Sequence, residues 1–247
     1  MIPLFGKGVR RDFQNYVCSI TRLFLTLYTM RFTLCQEHPR KDIFGKVAPY
    51  YDLLLDIFTF GQYALLLKKG VKMLSPRKGE KILDLCSGTG RAASWMAREV
   101  GETGEVVGMD LTQNMIDVAK ERYGKSGNLI FLQKDVTQPL GYENYFDGIF
   151  TSFALHELPE KRRQGVLEKS YLALKEKGRM VIVDFNPQVS GKGEILSGIF
   201  FKLYEKRNLN FFSFGQNEIL RKEGFKRIRT SPVLAGILQI TLALKIS

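Results

Sequence analysis

From residue 81 onward, short apolar runs alternate with amphipathic stretches, and few folds accept that pattern. The runs Lys81–Cys86, Val106–Asp110, Leu129–Gln133, Phe146–Ser152 and Met180–Phe185 have the length of buried strands. Between them the spacing predicts helices near 91–100, 112–123 and 160–175, the second opening on Thr112 as N-cap. Such alternation specifies βαβ units and a mostly parallel sheet, an α/β architecture. After Phe185 the pattern changes. Residues 194–214 are rich in aromatics and read as an inserted helix or lid, Gln216–Gly224 as a short helix ending at a glycine, and Lys226–Ser231 and Ile237–Leu244 as two closing strands. At 247 residues the chain fits one such domain over 43–247, with a lid near 190–214 and a helical extension over 1–42.

The sharpest local feature is Asp84-Leu85-Cys86-Ser87-Gly88-Thr89-Gly90, at the end of one strand and the mouth of a helix. Glycines there let the backbone turn tightly and approach a ligand, in the crevice where such sheets bind nucleotides. The loop alone does not choose the ligand, because Gly88-Thr89-Gly90-Arg91-Ala92-Ala93 also fits the G-x-G-x-x-A pattern of nicotinamide dinucleotide sites. Asp110 closes the second strand twenty residues after Gly90, where a carboxylate accepts both hydroxyls of a ribose in either cofactor. Two other acids separate the candidates. Asp135, just past the third strand, can accept a hydrogen bond from the exocyclic amine of an adenine. Asp84 places negative charge beside the loop, which repels a pyrophosphate and attracts a ligand carrying an ammonium and a sulfonium. That favours S-adenosylmethionine over NAD(P).

With Phe146-Asp147-Gly148-Ile149 and Ser152-Phe153-Ala154-Leu155-His156-Glu157-Leu158 added, the chain resembles a class I methyltransferase. More narrowly, it resembles the ubiquinone/menaquinone-biosynthesis C-methyltransferase family. The resemblance extends upstream to Phe44-Gly45-Lys46-Val47-Ala48-Pro49-Tyr50-Tyr51-Asp52 and Thr59-Phe60-Gly61, covering residues 43–186 well and the last 60 loosely. It implies a Rossmann-like, seven-stranded, mostly parallel sheet whose last strand, Ile237–Leu244, runs antiparallel. It also implies that the leading tyrosines cover the cofactor. Tyr50 would contact it, Tyr51 would stand at the reacting centre, and either ring can meet the sulfonium in a cation–π contact of about 0.5–2 kcal/mol. Leu111, Met115, Val136 and Ser152, beside Thr89 and the glycines, complete the expected cofactor contacts. No metal site is expected.

His156 is where the chain departs from that family, whose quinone methyltransferases usually carry an arginine in a segment resembling Ser-Phe-Gly-Leu-Arg-Asn. A histidine after the fourth strand points to the substrate side of the methyl group and can take a phenolic proton as the methyl moves. A histidine merely bonded to nearby backbone is the plainer alternative. The first expectation is C-methylation of a demethylated polyprenyl quinone. An amine of a phospholipid or a soluble metabolite is the alternative acceptor, and an NAD(P)-dependent oxidoreductase or an RNA methyltransferase stands further off. Asp184-Phe185-Asn186-Pro187 resembles the Asn-Pro-Pro-Tyr loop of nucleic-acid amino-methyltransferases only superficially, because it follows the fifth strand and lacks the second proline.

Charge is divided unevenly. Residues 47–191 are near neutral, with nineteen Lys/Arg against eighteen acids, whereas residues 1–46 carry eight against three and residues 192–247 carry ten against four. Basic flanks around a neutral core suit an anionic surface. Within residues 7–34, Phe13, Val17, Ile20, Phe24, Leu27 and Leu34 recur at helical spacing opposite polar residues. Arg22 and Arg31 break any run of the ~20 apolar residues a membrane span needs, and no cleavage site follows. Such a helix lies on a membrane surface or packs on its own domain. The aromatic stretch 194–214 fits a lid better than a nucleobase platform, so no nucleic acid is expected. Three cysteines (Cys18, Cys35 and Cys86) without metal spacing suit a reducing compartment. The expectations are therefore a cytoplasmic protein or one peripheral on the inner face of the membrane, a hydrophobic or lipid substrate, and a chain free to form a homodimer.

Overall fold

Strand β1 (Lys81–Leu85) is apolar on both faces apart from Lys81 and Asp84, and it is an inner strand of the sheet. The computed structural model describes residues 48–59, 61–186, 215–234 and 236–246. β1 pairs in parallel with β2 (Glu105–Asp110) on one side and with β4 (Phe146–Ser152) on the other. The strand order is β3-β2-β1-β4-β5-β7-β6, with β3 at Leu129–Gln133, β5 at Leu174–Phe185, β6 at Phe225–Val233 and β7 at Leu238–Lys245. β7 is antiparallel to both β5 and β6, so the expected seven-stranded sheet with its reversed last strand is found.

Because strand side chains alternate, the two faces bury different sets. Helices α2 (Gln62–Leu74), α3 (Arg91–Val100) and α4 (Gln113–Tyr123) cover one face, closing over Ile82, Val106, Phe150 and Val181. α5 (Glu160–Ala173) and α6 (Gln216–Lys222) cover the other, over Leu83, Val107, Ile149 and Ile182. The β3–β4 connection carries no helix. Val136, Leu140 and the rings of Tyr142, Tyr145 and Phe146, tilted or edge-on to one another with centroids 4.8–5.1 Å apart, fill that space instead.

The sequence reading placed the main elements and missed two. α1 (Tyr51–Phe58) and α2 were not assigned, although Leu66, Leu67, Gly70, Val71 and Leu74 form a regular buried stripe on α2. The helix expected to end at 175 ends at Ala173, and β5 starts at once. Its polar opening at Lys175–Gly178 reads as a turn in sequence, but Lys175 Nζ is anchored to the Asp147 carboxylate at 2.8 Å. Thr112 takes the N-cap position of α4 without a side-chain cap bond; its own N–H donates to Asp110 Oδ1 instead. The extension over 1–42, its stretch 7–34 and the lid near 190–214 lie outside the described residues. No helix among the described residues is long and apolar enough to cross a membrane.

α2 sits so close to the sheet that a Cβ on Gly70 would lie 2.6 Å from Val183 Cγ2 and 2.9 Å from Phe150 Cε2. Alanine normally gains about 0.5–1 kcal/mol over glycine inside a helix, whereas overpacking a core costs about 1–3 kcal/mol. The second effect wins here, since both clashing atoms belong to buried side chains. Gly70→Ala is expected to lower the thermal midpoint by several degrees in unfolding followed by circular dichroism. A midpoint at or above wild type would mean that α2 lifts off the sheet freely.

Candidate functional site

The loop after β1 is built from left-handed backbone: Cys86 has φ 57°, Gly88 φ 54° and Gly90 φ 79°. Glycine is required twice over at Gly90, because a Cβ there would also lie 2.5 Å from the ring of Phe131. At Gly88 a Cβ would meet nothing within 4 Å, so the backbone faces open space in which a ligand can approach it. The Gly88 N–H donates to Asp110 Oδ2 at 2.9 Å. This bond brings the predicted loop and the predicted ribose acid side by side.

Asp84 lies beneath the loop and is 1% exposed, and among the described residues its Oδ2 has no hydrogen-bond partner. Burial, and secondarily repulsion from Asp110, push its carboxyl well above the usual range, against a backbone bond from Ala93. Asp84 is therefore more than the standing charge expected beside the loop: its burial beside Asp110 resists its ionisation, and a cation would favour it. Ser87 Oγ and Thr151 Oγ1, around the same strand ends, are also buried without a hydrogen-bond partner among the described residues. These uncompensated polar atoms, with the open face of Gly88, fit a polar, cationic nucleoside such as S-adenosylmethionine.

The other predicted cofactor residues are distributed around this point. Asp135 is half-buried; its Oδ1 accepts from Thr137 N and Oγ1, while among the described residues Oδ2 carries no hydrogen bond. Val136 is buried behind it, Ser152 is half-buried at the end of β4, and Leu111 is exposed directly after β2. Met115 is buried in a small cluster with Ala48, Val118 and the ring of Tyr51. Tyr51 thus packs on α4, on the cofactor half of the crevice, and Tyr50 is 62% exposed.

Sequence reading missed the clamp that holds this segment down. Asp52 Oδ2 accepts from Thr89 Oγ1 and from Arg122 Nη1, each at 2.7 Å, and Arg91 Nε stands 3.6 Å from Oδ1. Arg91 Nη1 also donates to Asp56 Oδ2 at 2.7 Å, and Arg122 Nη2 donates to the Pro49 carbonyl. Asp52 and Asp56, one helical turn apart on α1, face inward onto the loop. Acids on a short apolar helix give no sign in sequence of which way they turn.

At the end of β4 the chain turns through Phe153, a left-handed non-glycine residue (φ 51°), into the 3₁₀ turn Leu155–Glu157. That turn delivers His156 to the end of β5. Its Nδ1 lies 2.6 Å from Asp184 Oδ1, its backbone N–H donates to Asp184 Oδ2 at 3.1 Å, and its side chain is only 8% exposed. A carboxylate at Nδ1 holds the proton there and leaves Nε2 with its lone pair. Nε2 itself lies 3.9 Å from Glu157 Oε1. Beneath the pair, burial pushes the Arg163 guanidinium below its ordinary range, and Glu160 and Asp184 oppose that push. A row of half-buried rings runs up to the histidine: Tyr63 to Phe153 (5.7 Å), Phe153 to Phe185 (6.2 Å) and Phe185 to His156 (4.8 Å). Asp184 was set aside in sequence with the rest of its Asn-Pro-like stretch. Its only sequence signal is an acid at a strand terminus.

A pocket suited to a nucleoside at the β1 and β2 ends therefore adjoins, at the β1/β4 reversal, a carboxylate-oriented imidazole with an aromatic wall. Among proteins of known sequence, the ubiquinone/menaquinone biosynthesis C-methyltransferase UbiE of Erwinia tasmaniensis is 34% identical over 148 residues, 59% of this chain and 58% of that protein. The protein of the same name from Haemophilus ducreyi is 32% identical over 151 residues, 60% and 58% of the two chains. The chain thus spans 58% of the length of these relatives. Among solved structures, a SAM dependent methyltransferase from Aquifex aeolicus superposes with a TM-score of 0.56 at 22% identity, over 73% of this chain and 89% of that one. Haemonchus contortus phosphoethanolamine N-methyltransferase 2, in complex with S-adenosyl-L-methionine, gives 0.57 at 18% identity, over 73% and 52%. These two likenesses are of fold. Residues 32–213 match the ubiE/COQ5 methyltransferase family, and the chain belongs to that family.

Proposed function

We propose that this chain methylates a ring carbon of a demethylated polyprenyl quinol, with S-adenosylmethionine as donor. The observation that carries this reading is the His156–Asp184 pair at 2.6 Å, placed at the end of an aromatic row. When bound, the donor supplies an electrophilic methyl group on a sulfonium. Asp110 would hold the ribose hydroxyls, Asp135 the adenine amine through Oδ2, and Leu111 and Met115 the faces of the base. Asp84 and the loop Gly88-Thr89-Gly90 would take the methionine part, where Asp84 compensates the ligand's positive charge. Tyr50 and Tyr51, on the segment clamped by Asp52, would close this half of the site.

On the acceptor side, Tyr63, Phe153 and Phe185 supply an apolar surface for a planar ring. His156 Nε2 takes the phenolic proton, which raises electron density at the adjacent ring carbon. That carbon attacks the methyl group as the carbon–sulfur bond breaks; the ring proton then passes to water, which restores aromaticity, and His156 returns its proton to the phenolate oxygen. Asp184 keeps Nε2 in its accepting form and lies beside the charge the ring gains. Positioning of the two reactants does much of the work. An amine acceptor brings its own lone pair and has less use for such a base, so the dyad favours carbon over nitrogen.

His156→Ala is expected to lower kcat by about 10²–10⁴-fold while S-adenosylmethionine binding, measured by calorimetry, stays within a few-fold of wild type. Asp184→Asn should give a similar loss and alter the pH–rate profile. An unimpaired kcat in His156→Ala would remove the base from the mechanism and favour N-methylation.

The raised Asp84 carboxyl predicts a pH dependence with a definite sign. Because the folded state holds this proton more tightly than the unfolded chain, Asp84 contributes stability that is fully present below its ordinary value of 3.8 and is lost as pH rises through the folded-state value. Without ligand, Asp84→Asn should therefore melt above wild type at about pH 8 and approach it in acid. A cation draws the proton off, so wild-type affinity for S-adenosylmethionine should rise with pH, whereas the variant should bind about tenfold more weakly and without that slope. Thermal-shift titration across pH reads both effects. Stabilisation by NAD(P) but not by S-adenosylmethionine would overturn the cofactor assignment.

A further inference from the structure

Helix α1 is turned inside out for a surface helix. Its two acids, Asp52 and Asp56, face inward to Thr89, Arg91 and Arg122, while Leu53 and Ile57, also one turn apart, face outward with more than half of each exposed. They have company. Of the eight large apolar residues exposed among the described residues, six lie at the end of the sheet where the parallel strands terminate. Tyr50, Leu53 and Ile57 are on the segment clamped to the loop, Leu65 is in the first turn of α2, Leu111 directly follows β2, and Leu234 is in the β6–β7 turn. Exposed apolar residues gathered at one end of a domain mark an interaction site.

The charges beside it indicate the partner. Leu65 continues along α2 into Lys69 and Lys72, at the i+4 and i+7 positions of one exposed stripe that contains no acid. Apolar tips bordered by lysines, whose stems can lie along apolar surface with the ammonium in water, match an anionic phospholipid surface. A protein partner of the usual mixed polarity would find no acidic counterpart to its own cations there. We infer that the outward face of α1 and the first turns of α2 dock the domain on an anionic phospholipid bilayer, with the mouth of the site turned toward the lipid. Choosing lipid over a protein partner rests on the polyprenyl acceptor proposed above. This face is distinct from residues 7–34.

Vesicle flotation of the full chain tests it, with phosphatidylcholine vesicles containing no or about one third phosphatidylglycerol. Wild type should float with the anionic vesicles. Leu53→Glu/Ile57→Glu should lose at least tenfold in partitioning, and Lys69→Gln/Lys72→Gln should lose about twenty-five-fold on the anionic vesicles and narrow the difference between the two vesicle types, since each lysine contributes about fivefold. Both variants should keep wild-type melting and stabilisation by S-adenosylmethionine. Leu53→Ser/Ile57→Ser gives the same reading should the glutamates unfold α1. Wild-type partitioning in the α1 variants would place the contact elsewhere and overturn the inference. Equal binding of wild type to both vesicle types would also overturn it, as would loss of a dimer in place of vesicle binding. Failure of S-adenosylmethionine to stabilise wild type would count against the methyltransferase reading and leave the flotation result readable.

Discussion

Strand order reverses at β1, and the rest of the site depends on that reversal. The chain leaves β1 for β2 and β3 on one side, then returns to β4 on the other, so α3 and α5 depart over opposite faces. Neither helix covers the strand ends between them. Polar groups that a closed core would pair are left there with unmet hydrogen-bonding capacity: Asp84 Oδ2, Ser87 Oγ and Thr151 Oγ1. A buried polar atom left without a partner costs about 1–3 kcal/mol. Their concentration at one point of the sheet means that a ligand of matching polarity gains back what folding gave up.

The same reversal explains why α1 is built as it is. A loop with three left-handed residues in five is not held by its own ladder and needs an outside strut. Asp52 supplies one by joining Thr89 of the loop to Arg91 and Arg122 of the flanking helices. With Arg91 17% and Arg122 31% exposed, these pairs are only partly screened by water, and their value lies in being a network more than in any single pair. Spending the acids of an eight-residue helix inward leaves only apolar side chains to face outward. Loop order and an apolar outer surface are thus two results of one choice.

What could be read in sequence was whatever local geometry dictates. The Asp84–Gly90 loop, Asp110 and the seven-strand pattern follow from alternation and from glycine's access to left-handed backbone, which depend on neighbours in the chain. Asp184 and the Asp52–Arg122 pair could not be read that way. Asp184 matters because a 3₁₀ turn 28 residues earlier brings His156 to it, and Arg122 because its guanidinium reaches a carboxylate 70 residues away. α2 is different: its buried stripe was legible, but Gly70 in its middle reads as a break until Val183 and Phe150 are seen pressing on that position.

His156 shows how a departure from a family pattern can be compensated in three dimensions. An arginine at this position would be a permanent cation able to donate hydrogen bonds to an acceptor oxygen and unable to take its proton. An imidazole reverses that capacity, provided its proton sits on the nitrogen away from the acceptor. Asp184 does this by receiving Nδ1 and the backbone N–H of the same residue, which leaves the ring a single orientation, and Phe185 fixes its plane edge-on at 85°. The acid that performs this task comes from β5 and the histidine from the end of β4, paired neighbours in the sheet. The base is therefore only as well placed as the register between those strands, and Phe153 N–H donating to Val183 O at 2.8 Å extends that register up to the turn that carries the histidine.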